Sequence, residues 1–251
     1  MRVAVVVVAV SLVAVSGCGP QSLEGQPCTG ADDPDVVCEE RLQLRCNSQI
    51  YVRQSDCSSE CTEGAPEVPH QGDISASQTW ACETGVHIVT GLINVAAGAT
   101  LTVAPGAAIR VDPSSRIDVD PAGRFVVDAP DLQKVLVTSN NGEGGGFGAS
   151  SSGGINVFAS EGEPSIVRGL IIERGIHGLG VFGLSTTTAT PVIQNSTFRD
   201  NQNFGIKVTC DELDFVVPDF TAACADVADG APCGNAFFGN GLAEVSTCDA
   251  E

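Results

Sequence analysis

Three observations predict an all-β chain that winds as a parallel solenoid: an eight-residue beat of apolar residues, strand segments only three residues long, and turn formers between them. Leu101, Ile109, Ile117 and Phe125 follow one another at intervals of eight, and Val95, Val103, Val111, Val119 and Val127 keep the same interval. Strand side chains alternate between faces, so in Leu101-Thr102-Val103 the outer pair points one way and Thr102 the other. The same holds for Ile109-Arg110-Val111, Ile117-Asp118-Val119 and Phe125-Val126-Val127. Ala104-Pro105-Gly106, Asp112-Pro113-Ser114 and Asp120-Pro121-Ala122-Gly123 supply the corners. A chain that turns its apolar pair inward after every eight residues wraps around a core, and three such sides (3 × 8) close a coil of 24 residues. Leu101 is then expected against Phe125, with coils stacked at about 4.8 Å. An antiparallel meander would use strands of about five or six residues, and a hexapeptide helix would beat at a shorter interval.

Composition narrows the partners. In 251 residues, Asp+Glu number 31 against 12 Lys+Arg, a formal charge of -19, and the lysines are Lys134 and Lys207. Such a chain repels phosphate backbones, so no nucleic-acid partner is expected. Aromatic residues are 5% of the chain, with one Trp (Trp80) and one Tyr (Tyr51), which leaves few rings to floor a sugar or base site.

The N-terminus reads as an address. Arg2 supplies a positive start, residues 3 to 15 are almost wholly Val, Ala and Leu, and Val15-Ser16-Gly17 precede Cys18. The apolar run is shorter than the about 20 residues a membrane span needs. Val15-Ser16-Gly17-Cys18 resembles the lipobox of bacterial lipoproteins. That resemblance implies cleavage of residues 1–17 before Cys18, a Cys18 carrying diacylglycerol and an amide-linked acyl chain such as palmitate, and, with Gly19 rather than Asp next, sorting to the outer membrane. Several acyl chains at about 0.8 kcal/mol per CH₂ would hold the mature protein firmly.

Of eleven cysteines, removing Cys18 leaves an even ten: Cys28, Cys38, Cys46, Cys57, Cys61, Cys82, Cys210, Cys224, Cys233 and Cys248. In an exported chain these read as disulfide partners, each bridge contributing about 2 to 4 kcal/mol. Their pairing stays open. Zinc sites use close CxxC pairs, and Cys57 to Cys61 stands alone, so no metal or other cofactor is expected. Residues 18–27 form a polar tether, and residues 28–66 a cysteine-rich module too poor in core residues to fold without staples.

From residue 67 onward the chain is expected to be the solenoid. The run Val86-His87-Ile88 through Thr100-Leu101-Thr102-Val103-Ala104-Pro105-Gly106 resembles the opening of right-handed parallel β-helix proteins of the pectate-lyase-like superfamily. The likeness continues through Val135-Leu136-Val137-Thr138-Ser139 and the Asn-rich segments, over most of residues 86 to 209. It implies a short right-handed parallel β-helix of about five rungs, and says almost nothing of activity, because that superfamily hosts lyases, hydrolases and adhesins alike. Residues 139 to 154 break the beat as a loop leaving the stack. A second repeat then sets Ile166, Ile172, Leu179 and Val181 against Val192, Phe198, Ile206 and Val208, with a later copy from Asn235 through Val245. An insertion at 209–234 carries Cys210, Cys224 and Cys233 and is expected to cover an edge of the stack.

A lyase would need carboxylates for calcium and an Arg or Lys base on one exterior face. Arg110 and Asp118 point outward, but their partners one coil on, around Lys134 and Asn141, supply no carboxylate cluster. Glu173 over Arg199 and Arg174 over Asp200 look like complementary pairs between coils that hold register, contributing about 0 to 1 kcal/mol each if exposed. His70, His87 and His177 are dispersed in sequence, and no catalytic residue is predicted. The expected role is therefore structural or binding at the cell envelope, held by the lipid anchor and engaging another envelope protein or a glycan. The alternative is a polysaccharide lyase or glycoside hydrolase, favoured if two carboxylates and an Arg converge in one groove.

Overall fold

The computed structural model describes residues 36–39, 42–47, 50–53, 66–130, 133–141, 146–148, 153–160, 162–211, 216–224, 232–246 and 248. Strands β1 (Val36–Glu39), β2 (Leu42–Asn47) and β3 (Ile50–Arg53) form an antiparallel sheet in the order β1-β2-β3. The tether and most of the segment expected to be a cysteine-rich module, with Cys18, Cys28, Cys57 and Cys61, lie outside the described residues. Every later strand pairing is parallel, and the one helical element described there is a 3-10 turn at Cys82–Thr84.

Three faces build a nearly closed, solenoid-like wrap, compatible with a parallel β-helix. The first face stacks β6 (Val86–Val95), β8 (Ala108–Val111), β11 (Val135–Ser139), β14 (Leu170–Glu173), β17 (Thr197–Arg199) and β19 (Ala236–Phe238). The second stacks β6 again, then β9 (Arg116–Val119), β12 (Ile155–Phe158), β15 (Leu179–Leu184), β18 (Phe204–Cys210) and β20 (Ala243–Val245). The third stacks β5 (Gln78–Trp80), β7 (Thr100–Val103), β10 (Arg124–Asp128), β13 (Ile166–Arg168) and β16 (Val192–Gln194). β6 spans two faces without a break, while β4 (Glu67–Ile74) lies beneath it.

Register follows the apolar pattern. Leu101 pairs with Phe125, Ile166 with Val192, Ile172 with Phe198, Leu179 with Ile206 and Val181 with Val208. Leu101, Ile109, Ile117, Phe125, Val137, Ile155, Val167, Ile172, Leu179 and Phe198 are all fully buried in one cluster. Each such burial stabilises by about 1.5 to 3 kcal/mol, the return that offsets ordering so short a strand. On the outer side of the third face, Arg168 Nη1 lies 2.8 Å from Asp128 Oδ1 and its Nε donates to Gln194 Oε1 at 3.1 Å, fastening three successive strands.

Four expectations are corrected. Arg110 stacks on Thr138 and Asp118 on Asn156, not on the segments a strict 24-residue coil would bring, because residues are added at the corners after β10 and β11. Residues 139 to 154 do not simply leave the stack: Phe147 bridges to Gly175 and is wholly buried in the core. His70 and His87, dispersed in sequence, are brought into contact as described below. Finally, Glu173 and Arg199 are no exposed pair. Their side chains are 1% and 0% exposed, with Arg199 Nε donating to Glu173 Oε2 at 2.7 Å and Thr138 Oγ1 to Oε1 at 2.9 Å. Arg199 Nη2 lies 2.6 Å from the same Oε2 at an angle too bent for a hydrogen bond, and Nη1 has no acceptor. The physical reason is that the outer side of the first face is itself covered: Val86, Ala108, Leu136 and Ile171 point away from the core yet are buried.

The insertion at 209–234 contributes to the core. Phe220 is 1% exposed in the main cluster, and Cys233 bridges to Gln194 on the last strand of the third face. Disulfides join Cys210 to Cys248 and Cys224 to Cys233, with Cα separations of 5.4 and 4.8 Å.

Removing the carboxylate at Glu173 leaves Arg199 charged and uncompensated in a dry setting, which costs about 3 to 5 kcal/mol. Glu173→Ala should lower the urea midpoint accordingly, whereas Glu173→Leu with Arg199→Met should come within about 1 kcal/mol of the wild type or exceed it. Equal losses in the two variants would show that the charge pairing is immaterial.

Candidate functional site

The corner joining the second face to the third carries a groove of about 410 Å³. Its wall is assembled from successive coils: Pro121 and Ala122 after β9, Phe158 to Ser160 at the end of β12, Gly183 and Thr188 in and after β15, and Asp211 after β18. Corners are where a stack can vary, since the strands between them must stay in register. Extra residues here raise side walls, and the segments at 160 and 189 are tied by reciprocal backbone bonds of 3.2 and 2.7 Å.

One wall holds Arg124, the first residue of β10. Its Nη1 lies 2.6 Å from Glu163 Oε2, and its Nη2 donates to the Pro164 carbonyl at 3.4 Å, so the guanidinium is held and its charge matched. Phe158 stacks on Phe182 one coil along, ring centroids 5.3 Å apart, which gives the groove an apolar side. Gly183 has φ +68, a conformation that costs glycine little. Its missing side chain leaves space between Asp211 and Phe158: a Cβ there would sit 3.5 Å from Asp211 Oδ2 and 4.0 Å from the Phe158 ring. The groove thus joins an aromatic ring, one matched cation and two carboxylates, Glu163 and Asp211. This convergence was not legible beforehand, because the three charged residues come from corners whose lengths the eight-residue beat does not set.

A second cluster sits at the N-terminal mouth of the stack. His70 from β4 contacts His87 from β6, Nε2 to Nδ1 at 2.8 Å, and stacks on Trp80 of β5 with centroids 4.0 Å apart. His87 Nε2 faces the Ala81 carbonyl at 3.2 Å, an acceptor only, so this nitrogen carries the hydrogen. His87 Nδ1 is therefore the acceptor and His70 Nε2–H the donor. The ring centroids stand 5.1 Å apart, close to the sum of the nitrogen separation and two ring radii, so the rings meet edge to edge along a shared proton. The two facing nitrogens are taken up by this hydrogen bond and do not converge on a metal ion. Among the described residues no three His, Cys, Asp or Glu side chains gather to hold one.

The remaining sequence candidates are dispersed. Arg110 and Asp118 occupy different faces, and Asp118 is bound by Arg116 at 2.9 Å and by Asn156 at 2.6 Å. His177 is buried and stacked on Phe204, 5.5 Å between centroids. Cys38 and Cys46 fall on β1 and β2, and Cys82 packs against a separate apolar cluster of Val86, Ile88 and Ala108.

Burial lowers the pKa of His70 to about 4, with repulsion from a protonated His87 adding to the shift. Burial also lowers that of His87, partly offset by the Ala81 carbonyl. In the unfolded chain both rings protonate near 6.5, so between that value and about 4 the unfolded state binds more protons. The contribution of His70 is present above pH 6.5 and is lost as pH falls toward 4, about 1 to 2 kcal/mol after allowing for solvent screening of a half-buried ring. The fall in unfolding free energy from pH 7 to 4.5 should be smaller by this amount in His70→Gln, which keeps a donor toward His87 but does not titrate, than in the wild type. A pH slope untouched by that change would refute the assignment. No family model, curated protein or solved structure matches this chain.

Proposed function

We propose that this chain is a lipoprotein of the bacterial cell envelope, lipidated on Cys18, whose short right-handed parallel β-helix of about five rungs acts as a structural or binding scaffold. In this reading residues 1–17 are the signal peptide, 18–27 the tether, 28–66 a disulfide-stapled module and 67–251 the β-helix, of the pectate-lyase-like kind. The observation that carries it is the residue order at the N-terminus: Val15-Ser16-Gly17-Cys18 ends an apolar run too short to span a bilayer, ahead of a chain with abundant cysteine. A stack of parallel strands suits such a role, since each coil adds exterior surface at a fixed spacing without changing the core. The anchor would hold that surface near the outer membrane, where its partner would be another envelope protein or a glycan.

A second reading, polysaccharide lyase or glycoside hydrolase, draws support from the corner groove, where Arg124, Glu163 and Asp211 line one wall system. Two carboxylates flanking a glycosidic bond are the usual equipment of hydrolysis. Against it, the Arg124 guanidinium is already bound by the Glu163 carboxylate and the Pro164 carbonyl, so it is poorly placed as a base.

Cells producing the protein and fed an alkyne palmitate analogue should label the wild type and leave Cys18→Ser unlabelled, uncut or released from membranes; label retained on the variant would overturn the anchor. Incubation of the protein with pectate, alginate and neutral glucans should release no unsaturated or reducing ends. Their appearance, and disappearance in Asp211→Asn, would replace the scaffold reading with the enzymatic one.

A further inference from the structure

The geometry points to the corner groove as a binding site for a neutral oligosaccharide, an inference that names the ligand of the scaffold role proposed above and rests on it. The groove crosses four successive strand ends of the second face, β9, β12, β15 and β18. Three spacings of about 4.8 Å give it a length of about 14 Å along the stack. That is the reach of a short linear ligand, laid parallel to the axis of the stack.

Its chemistry selects among linear ligands. Phe158, backed by Phe182, supplies an apolar ring of the sort that packs against the C–H face of a sugar. Asp211 can only accept hydrogen bonds when ionised, and the void over Gly183 opens onto both its carboxylate and the Phe158 ring. A hydroxyl of a pyranose seated on Phe158 would find that acceptor within reach. Arg124 and Glu163 add donors and acceptors to the same lining, and a sugar hydroxyl can meet either.

An acidic polymer fits poorly. Among the described residues the one cation lining the groove is matched by Glu163 at 2.6 Å, Asp211 adds a further negative charge, and the whole chain carries -19. A uronate would therefore enter against the field with no unmatched cation to meet it. An extended peptide is also disfavoured, because strand addition needs an open sheet edge, whereas β9, β12 and β15 each have neighbours on both sides.

The test is isothermal titration of the full-length protein, held in a sugar-free zwitterionic detergent, with cellohexaose, laminarihexaose, maltohexaose and mannohexaose, and with hexagalacturonate as the charged comparison. At least one neutral hexasaccharide should bind, with affinity reduced about tenfold or more in Phe158→Ala and in Asp211→Asn. Asp112→Asn, at the corner between the first and second faces, should leave binding as it was. The inference is overturned if no neutral hexasaccharide binds, if hexagalacturonate alone does, or if binding ignores both groove changes. Asp211→Asn alters charge at an exposed corner without removing packing, so it decides the matter should Phe158→Ala fail to fold. A wild type that takes up no palmitate label, or a Cys18→Ser variant that keeps it, would sink the envelope reading and leave this result standing, while a silent titration would sink the groove and leave the anchor standing.

Discussion

Stacking in register is the constraint from which the rest of this molecule follows. An inward residue of one coil lies directly against an inward residue of the next, as Leu101 does against Phe125 and Ile172 against Phe198. A slip of one position would turn each apolar side chain outward, so insertions within strands are confined to local bulges, as between Val181 and Leu184 of β15 and between His70 and Gly72 of β4. Variation is therefore expelled to the corners. There the chain gains residues between β10 and β11, between β11 and β12, and between β12 and β13, and the last of these additions raises a wall of the groove that contains Arg124 and Glu163. The candidate site is thus a by-product of where the stack can afford irregularity.

Much of the architecture was legible because an apolar beat records inward and outward directly. The interval of eight placed Leu101 against Phe125, and the offset of 26 lengthening to 27 placed Ile166, Ile172, Leu179 and Val181 against Val192, Phe198, Ile206 and Val208. Legibility stopped where the beat did. Once residues are added at a corner, counting no longer says which strands meet, so Arg110 and Asp118 were matched with the wrong neighbours and Phe147 was taken out of a core it fills. Burial of outward positions was hidden for another reason: alternation tells which way Glu173 and Arg199 point, not what lies over them. His70 and His87 meet because β4 underlies β6, and β4 lies ahead of the apolar beat that would have signalled the pairing. The site itself was the least legible part, since Arg124, Glu163 and Asp211 come from corners on three different coils.

Polar groups in the dry parts of the molecule follow two separate rules. The Glu173–Arg199 pair keeps its charges and compensates them, with Thr138 bonding the remaining carboxylate oxygen. The half-buried His70–His87 pair gives up its charge, one ring donating and the other accepting, with Trp80 stacked on the His70 ring. On the outer side of the third face, by contrast, Asp128, Arg168 and Gln194 form a ladder in partial contact with solvent, where ion pairing adds little energy but penalises a shifted neighbour.

The moderate sequence distance between touching strands has a kinetic consequence. Neighbours are separated by 24 residues at Leu101 and Phe125, 28 at Ile109 and Val137, 38 at Ile117 and Ile155, and 26 at Ile172 and Phe198. The entropy of closing a loop rises only as the logarithm of its length, about 0.6 kcal/mol for a doubling, so these closures cost nearly the same. What differs is the first one, which orders two coils before either has a finished neighbour, while each later coil docks on a surface already formed. Assembly of this chain is thus a seeding event followed by growth, its rate set by the first pair of coils to order rather than by overall length.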